Sequence, residues 1–169
     1  VLPADHLISP VERFREDAAK ADDLARQGFL VTFGIPPAYP ATGYGYIEAG
    51  EKLEPGRRVT SFREKPDEKT AKSFVDAGNY YWNSGMFAFK VSTYLEELAA
   101  HSPGIAGIFD GIGRAGESRS ERGIPLEMVG DRVVEIYKSS PKDSIDYAVM
   151  EKSRSSAMVD ASFEWNDIG

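Results

Sequence analysis

The segment Phe62-Arg63-Glu64-Lys65-Pro66 sets a carboxylate beside an ammonium at the end of an apolar stretch, and Pro66 then stops the run. Successive strand residues point to opposite faces, so Glu64 and Lys65 do not both face solvent by default. Such a pair suits a ligand with hydroxyls for the carboxylate to read and a phosphate for the ammonium to meet as a compact point charge. A solvated lysine with its ion-pair partner is the plainer alternative, because the tripeptide alone is common. Here, however, it lies between Gly43-Tyr44-Gly45-Tyr46 and Asn83-Ser84-Gly85-Met86-Phe87. Gly43 and Gly45, flanking Tyr44, let the backbone approach a ligand closely or simply serve a tight turn. Asn83 offers both a donor and an acceptor, or else caps a strand. Asp5 follows the apolar start Val1-Leu2, where an α/β sheet would present ligands at a strand's carboxyl end. A turn aspartate is the plainer reading of Asp5, and a structural role is the plainer reading of His6.

These residues need elements to hold them. Ser9-Pro10-Val11-Glu12 reads as a helix start with Ser9 as cap, Pro10 in the first turn and Glu12 completing a capping box. Val11, Phe14, Ala18, Ala21 and Ala25 mark one apolar face, and Gly28 is a stop. Phe29 to Ile35 reads as a buried strand ended by Pro36-Pro37, and the strand, helix, strand order points to an α/β unit with a parallel sheet. Two strands from Tyr44 to Lys65 turn at Glu54-Pro55-Gly56. Asp67 caps a helix through Asp76 with Gly78 after it, Tyr80 to Lys90 is a strand, and Ser92 caps a helix to about Ala100. Helices are expected within Ser102 to Gly130. The spacing of Val129, Val133, Ile136 and Tyr137 predicts another, Asp143 to Met150 a short one, and Ala157 to Asp160 a strand. The opening residues Val1 to His6 read as the end of a buried strand, as if the chain began within a domain.

Size and composition narrow the function classes. A chain of 169 residues fits one domain able to bury a core. A formal net charge of −7 argues against nucleic acid as the main partner, although a nucleotide can still be held by a few local cations, a metal and backbone amides. With no cysteine there is no disulfide, zinc thiolate or cysteine nucleophile, which fits a cytoplasmic protein. No apolar run approaches the roughly 20 residues of a membrane span. A homo-oligomer is compatible with this sequence, and nothing in the residues sets its order.

Six ordered motifs then carry a resemblance: Leu2-Pro3-Ala4-Asp5-His6, Thr42-Gly43-Tyr44-Gly45-Tyr46-Ile47, Phe62 to Pro66, Asn83 to Phe87, Ser144 to Lys152 and Trp165-Asn166-Asp167-Ile168-Gly169. Across the whole chain it resembles the mannose-1-phosphate guanylyltransferases, especially the bacterial type often fused to a mannose-6-phosphate isomerase. The resemblance implies a Rossmann-like nucleotidyltransferase domain, a mixed but mainly parallel sheet flanked by helices. It implies GTP and mannose 1-phosphate as substrates and Mg2+ as cofactor. Asp5 and Asp167, 162 positions apart, match the metal-binding aspartates. Lys65 matches the lysine that meets the sugar phosphate; Glu64, Asn83 and the Gly43-Tyr44-Gly45 turn match the sugar-binding residues. Asp146 lies in a family motif without an assigned role. The family's glycine-rich nucleotide loop has no counterpart here, so residues 1–169 read as a partial domain lacking its N-terminal nucleotide-binding segment. Ala41 stands where the family often has glutamate. Three rivals remain: a non-catalytic fragment that binds sugar phosphate or a partner, a related transferase using another base or hexose, and a metal-dependent glycosyltransferase. The last normally carries D-x-D, which Asp143-Ser144-Ile145-Asp146 does not supply.

Overall fold

The computed structural model describes residues 1–115 and 117–169. Its elements, in chain order, are β1 (His6–Ser9), α1 (Val11–Arg26), β2 (Leu30–Ile35), β3 (Tyr46–Leu53), β4 (Gly56–Arg63), α2 (Glu68–Ala77) and β5 (Tyr80–Ala88). There follow α3 (Val91–His101), α4 (Pro103–Ala115), the hairpin β6 (Glu117–Glu121) and β7 (Ile124–Met128), and α5 (Asp131–Lys138). A π-turn (Asp146–Met150), β8 (Ser156–Asp160) and β9 (Glu164–Asp167) complete the chain.

Five strands run in the order β2-β5-β3-β4-β8 and close on themselves, because β8 meets both β2 and β4. The mixed α/β architecture is as expected, but the mainly parallel sheet is not. Among the described residues only β2 and β8 pair in parallel, whereas β2–β5, β3–β4, β3–β5 and β4–β8 are antiparallel. An apolar run tells that a strand is buried, and is silent about the direction of its neighbours. Alternation along β2 sends Val31, Phe33 and Ile35 into a core under α1, shared with Ala21, Leu24, Trp82 and Phe163. Leu30 joins a second core on the other face, with Ile47, Phe62, Leu98, Val149 and Met158. Thr32 lies on that second face too, wholly buried, which brings its hydroxyl beside Asn83.

The caps show which local signals governed. Asp67 does cap α2, its side chain accepting the Thr70 N–H at 2.7 Å, and Gly78 ends the helix at φ +75°. Ser9 does not cap α1: the N-cap is Pro10, with no side-chain bond. Ser9 instead ends β1, where it faces Glu164 across the strand pair and donates its hydroxyl to that carboxylate at 3.2 Å. A lost cap costs about 1 kcal/mol, less than the roughly 1.5–3 kcal/mol from burying Leu24 completely. Packing therefore holds α1. Ser92 likewise does not cap α3, which starts after Lys90 without a side-chain bond. The stretch expected to be helical, Ser102 to Gly130, contains α4 and then the β6–β7 hairpin. Val1 to His6 is not a buried strand; Val1 and Leu2 are exposed, while the Val1 backbone exchanges hydrogen bonds with Phe87.

One buried charge ties the helix layer to the end of the chain. Asp17 has no exposed surface and accepts hydrogen bonds from Ser162 N–H (2.7 Å), Ser162 Oγ (2.8 Å) and Lys20 Nζ (2.7 Å). Ser162 sits in the link between β8 and β9, so this carboxylate fixes where β9 begins. Asp17→Ala is expected to cost about 2–3 kcal/mol, since it strips a buried N–H and hydroxyl of a charged acceptor. Urea denaturation measures this; a loss below about 0.5 kcal/mol would show that water replaces the carboxylate.

Candidate active site

The two ends of the chain meet as an antiparallel ribbon, β1 with β9, in which His6 stands opposite Asp167 and Ser9 opposite Glu164. The residue before β1 is Asp5, whose carbonyl accepts the Ile168 N–H at 3.1 Å. Asp5 thus precedes an antiparallel strand, and is not at the carboxyl end of a parallel one. The ribbon brings Asp5, His6 and Asp167 together, with a donor atom from each lying within 4.8 Å of the others.

His6 is held apart from that cluster's chemistry. Trp165 Nε1–H donates to His6 Nδ1 at 3.0 Å, with the rings edge to face at 5.1 Å. An imidazole that accepts at Nδ1 carries its proton on Nε2, so neither nitrogen has a lone pair free for a cation. Two carboxylates remain. They are hard oxygen donors, and two carboxylates whose shell water and phosphate oxygens would complete are a set that fits magnesium.

Beside the ribbon lies a cleft of about 140 Å³, lined by Gly43, Tyr44, Gly45, Glu64, Lys65, Asn83, Ser84, Gly85, Asp146, Trp165, His6 and Asp167. The Glu64–Lys65 corner does not follow strand alternation, because β4 ends at Arg63 and Lys65 takes φ +44°. That left-handed turn aims both side chains into the same cleft, with Lys65 Nζ 3.4 Å from Glu64 Oε1. Glu64 is mostly buried, its side chain 10% exposed, while Lys65 is more than half exposed. The glycines divide their roles. A Cβ at Gly45 would collide with Glu64 Oε2, so Gly45 makes room for that carboxylate; beside Gly43 there is open space.

Asn83 is more committed than a free sugar ligand. Its Oδ1 accepts from Thr32 Oγ1 at 2.7 Å and Gly85 N–H at 3.2 Å, and its Nδ2 donates to Asp146 Oδ1 at 3.1 Å. The acceptor side is therefore filled, leaving one amide hydrogen for a ligand. Asp146, unassigned from sequence, is a wall of the cleft. Burial first, then the nearby Asp146 carboxylate, hold the Glu64 carboxyl above its usual range, with Lys65 opposing. Burial also raises Asp146, against the pull of hydrogen bonds from Ser144 and Asn83 and of the Lys65 charge. Sequence reasoning missed the aromatic side of the cleft, where Tyr44 packs edge-on to Trp165 and to Trp82, each with ring centroids 5.3 Å apart. Trp165 stood in a quoted motif, but nothing in its spacing said that it faced Tyr44.

Two raised carboxyls favour the fold when protonated. Their stabilising contribution is complete below the unfolded-state carboxyl pKa and is lost as pH rises through their folded values. Asp146→Asn keeps an acceptor for Asn83 and removes the charge beside Glu64. It is expected to raise the urea midpoint near pH 7, by a margin that shrinks toward about pH 4. A lower midpoint near neutrality, or a margin independent of pH, would contradict this balance.

A family model described as nucleotidyl transferase matches residues 1–169. The alginate biosynthesis protein AlgA of Pseudomonas aeruginosa is 46% identical over all of this chain, which covers 34% of AlgA. A mannose-1-phosphate guanylyltransferase of Escherichia coli is 39% identical, again over the whole chain and 36% of the relative. The chain thus spans about a third of the length of these curated relatives. Among solved structures, one titled mannose-6-phosphate isomerase from Helicobacter pylori superposes with a TM-score of 0.85 at 34% identity, covering 99% of this chain and 62% of that one.

Proposed function

The chain belongs to the nucleotidyl transferase family, and from that premise we propose that its protein forms GDP-mannose and pyrophosphate from GTP and α-D-mannose 1-phosphate. The supporting observation is the shared cleft: an ammonium and two partly buried carboxyls on one side, Asp167 with Asp5 at its edge on the other. Relatives named for guanylyl transfer to mannose 1-phosphate and for alginate synthesis support the choice of sugar and nucleotide.

In this reading a phosphate oxygen of mannose 1-phosphate attacks the α-phosphorus of GTP in line, and pyrophosphate leaves. Lys65 meets the sugar phosphate, lowering its charge and aiming the attacking oxygen. Glu64 accepts hydrogen bonds from sugar hydroxyls, and the single free amide hydrogen of Asn83 donates to another. Gly43 leaves space for the ligand beside Tyr44, while Tyr44 and Trp165 wall off one flank. Asp5 and Asp167 would hold magnesium, which when bound offsets negative charge on the phosphates. Most of the rate gain then comes from positioning and from charge cancelled in a partly dry cleft. With a nucleoside triphosphate and a sugar phosphate as substrates, the expected compartment is the cytoplasm.

In the complete protein, Lys65→Ala is expected to lower kcat/KM for mannose 1-phosphate by about 10²-fold while leaving the KM for GTP within about threefold. Pyrophosphate release at varied concentrations of each substrate reads both. Equal losses toward both substrates would place Lys65 outside the sugar-phosphate contact, and unchanged kinetics would remove its role.

A further inference from the structure

Glu64 and Lys65 reach the cleft only because the chain leaves β4 in an unusual conformation. The ladder between β3 and β4 ends at the pair Tyr46–Arg63, so the next amide, that of Glu64, has no strand partner. It donates instead to Glu151 Oε1 at 2.7 Å, 87 residues away in sequence and partly buried. The residue after it, Lys65, holds φ +44°, a region that a residue with a Cβ occupies only when its surroundings insist.

Glu151 directly follows the π-turn, and the turn's geometry explains how it gets there. In an α-helix, residues five apart point about 140° away from each other. Here the Glu151 N–H bonds back to the Asp146 carbonyl at 2.9 Å, a five-residue closure that brings the two residues toward one side. Asp146 reaches Asn83 on β5, while Glu151 reaches the Glu64 backbone beyond β4. The turn itself is locked. Ala148, Val149 and Met150 are buried, and Ser102 Oγ donates to the Ala148 carbonyl at 2.9 Å.

We propose that Glu151 is a positioning residue: its carboxylate clamps the Glu64 amide, and the π-turn lets one segment grip both walls of the sugar-phosphate cleft. The clamp turns on reach and not on charge, since its partner is a backbone N–H. Glu151→Gln keeps an oxygen at the same distance, whereas Glu151→Asp keeps the charge and withdraws the oxygen by one methylene. The functional arm of this idea rests on the transferase reading above; the structural arm does not.

The experiment uses the complete protein with Glu151 replaced by Asp, Gln and Ala. Amide hydrogen exchange at Glu64 is expected to speed up about tenfold or more in the Asp and Ala variants, stay near wild type in Gln, and leave β2 amides unchanged. With mannose 1-phosphate as the varied substrate, Asp and Ala should raise its KM about tenfold with a smaller change in kcat, and Gln should restore it to within about threefold. Wild-type exchange at Glu64 and a Gln variant that matches the Asp variant would each overturn the clamp, and the Asp variant carries the test if Ala does not fold. If wild-type protein makes no nucleotide sugar, the transferase reading fails and the exchange data alone still decide the clamp.

Discussion

Four backbone pairs between His6–Ser9 and Glu164–Asp167 carry the site. Without that ribbon, Asp5 and Asp167 would be separate surface acids, and Trp165 would have neither His6 nor Tyr44 to pack on. The ribbon is short and half exposed, so its own ladder is weak; its position is enforced from below. Asp17 anchors the Ser162 backbone two residues before β9, and Pro10 turns the end of β1 directly into α1. A buried carboxylate far from any chemistry thereby decides where two surface aspartates meet. That makes the meeting of these two aspartates a consequence of core packing.

The opposite wall is built against an electrostatic cost. Two carboxyls, Glu64 and Asp146, share a half-dry space, and each is raised in the first place by burial. Only one ammonium, that of Lys65, faces them among the described residues lining the cleft. A ligand bringing hydroxyl donors to the carboxyls and a phosphate to the ammonium relieves both imbalances, whereas a purely anionic ligand would relieve one. The complementarity is therefore to a molecule polar at one end and anionic at the other.

Much of this was legible in the residues, for physical reasons that differ from place to place. Asp67 and Gly78 announced α2 because capping is a local interaction, settled within a few residues. The Glu54-Pro55-Gly56 turn was legible for the same reason. Sheet direction was not, because the apolar run of β2 reads alike whether β8 beside it is parallel or β5 antiparallel. Ser9 failed as a cap because tertiary pairing with Glu164 claimed its hydroxyl. Asp17 and Glu151 drew no expectation, since nothing local says that a charge will find a backbone N–H across the fold. The nearness of Asp5 to Asp167 came from resemblance alone; spacing of 162 residues carries no geometry. Strand alternation misled at Glu64 and Lys65, where a left-handed residue put both side chains into one cleft.

The convergence of the chain's two ends on a cation is the claim from which the reaction follows. Manganese stands in for magnesium and scatters anomalously, so crystals of the complete protein grown with manganese and mannose 1-phosphate test it directly. The account predicts one anomalous peak within about 2.0–2.3 Å of oxygens from both Asp5 and Asp167, on the Lys65 side of the ribbon. A peak bound to neither aspartate, with the sugar phosphate seated elsewhere, would contradict it.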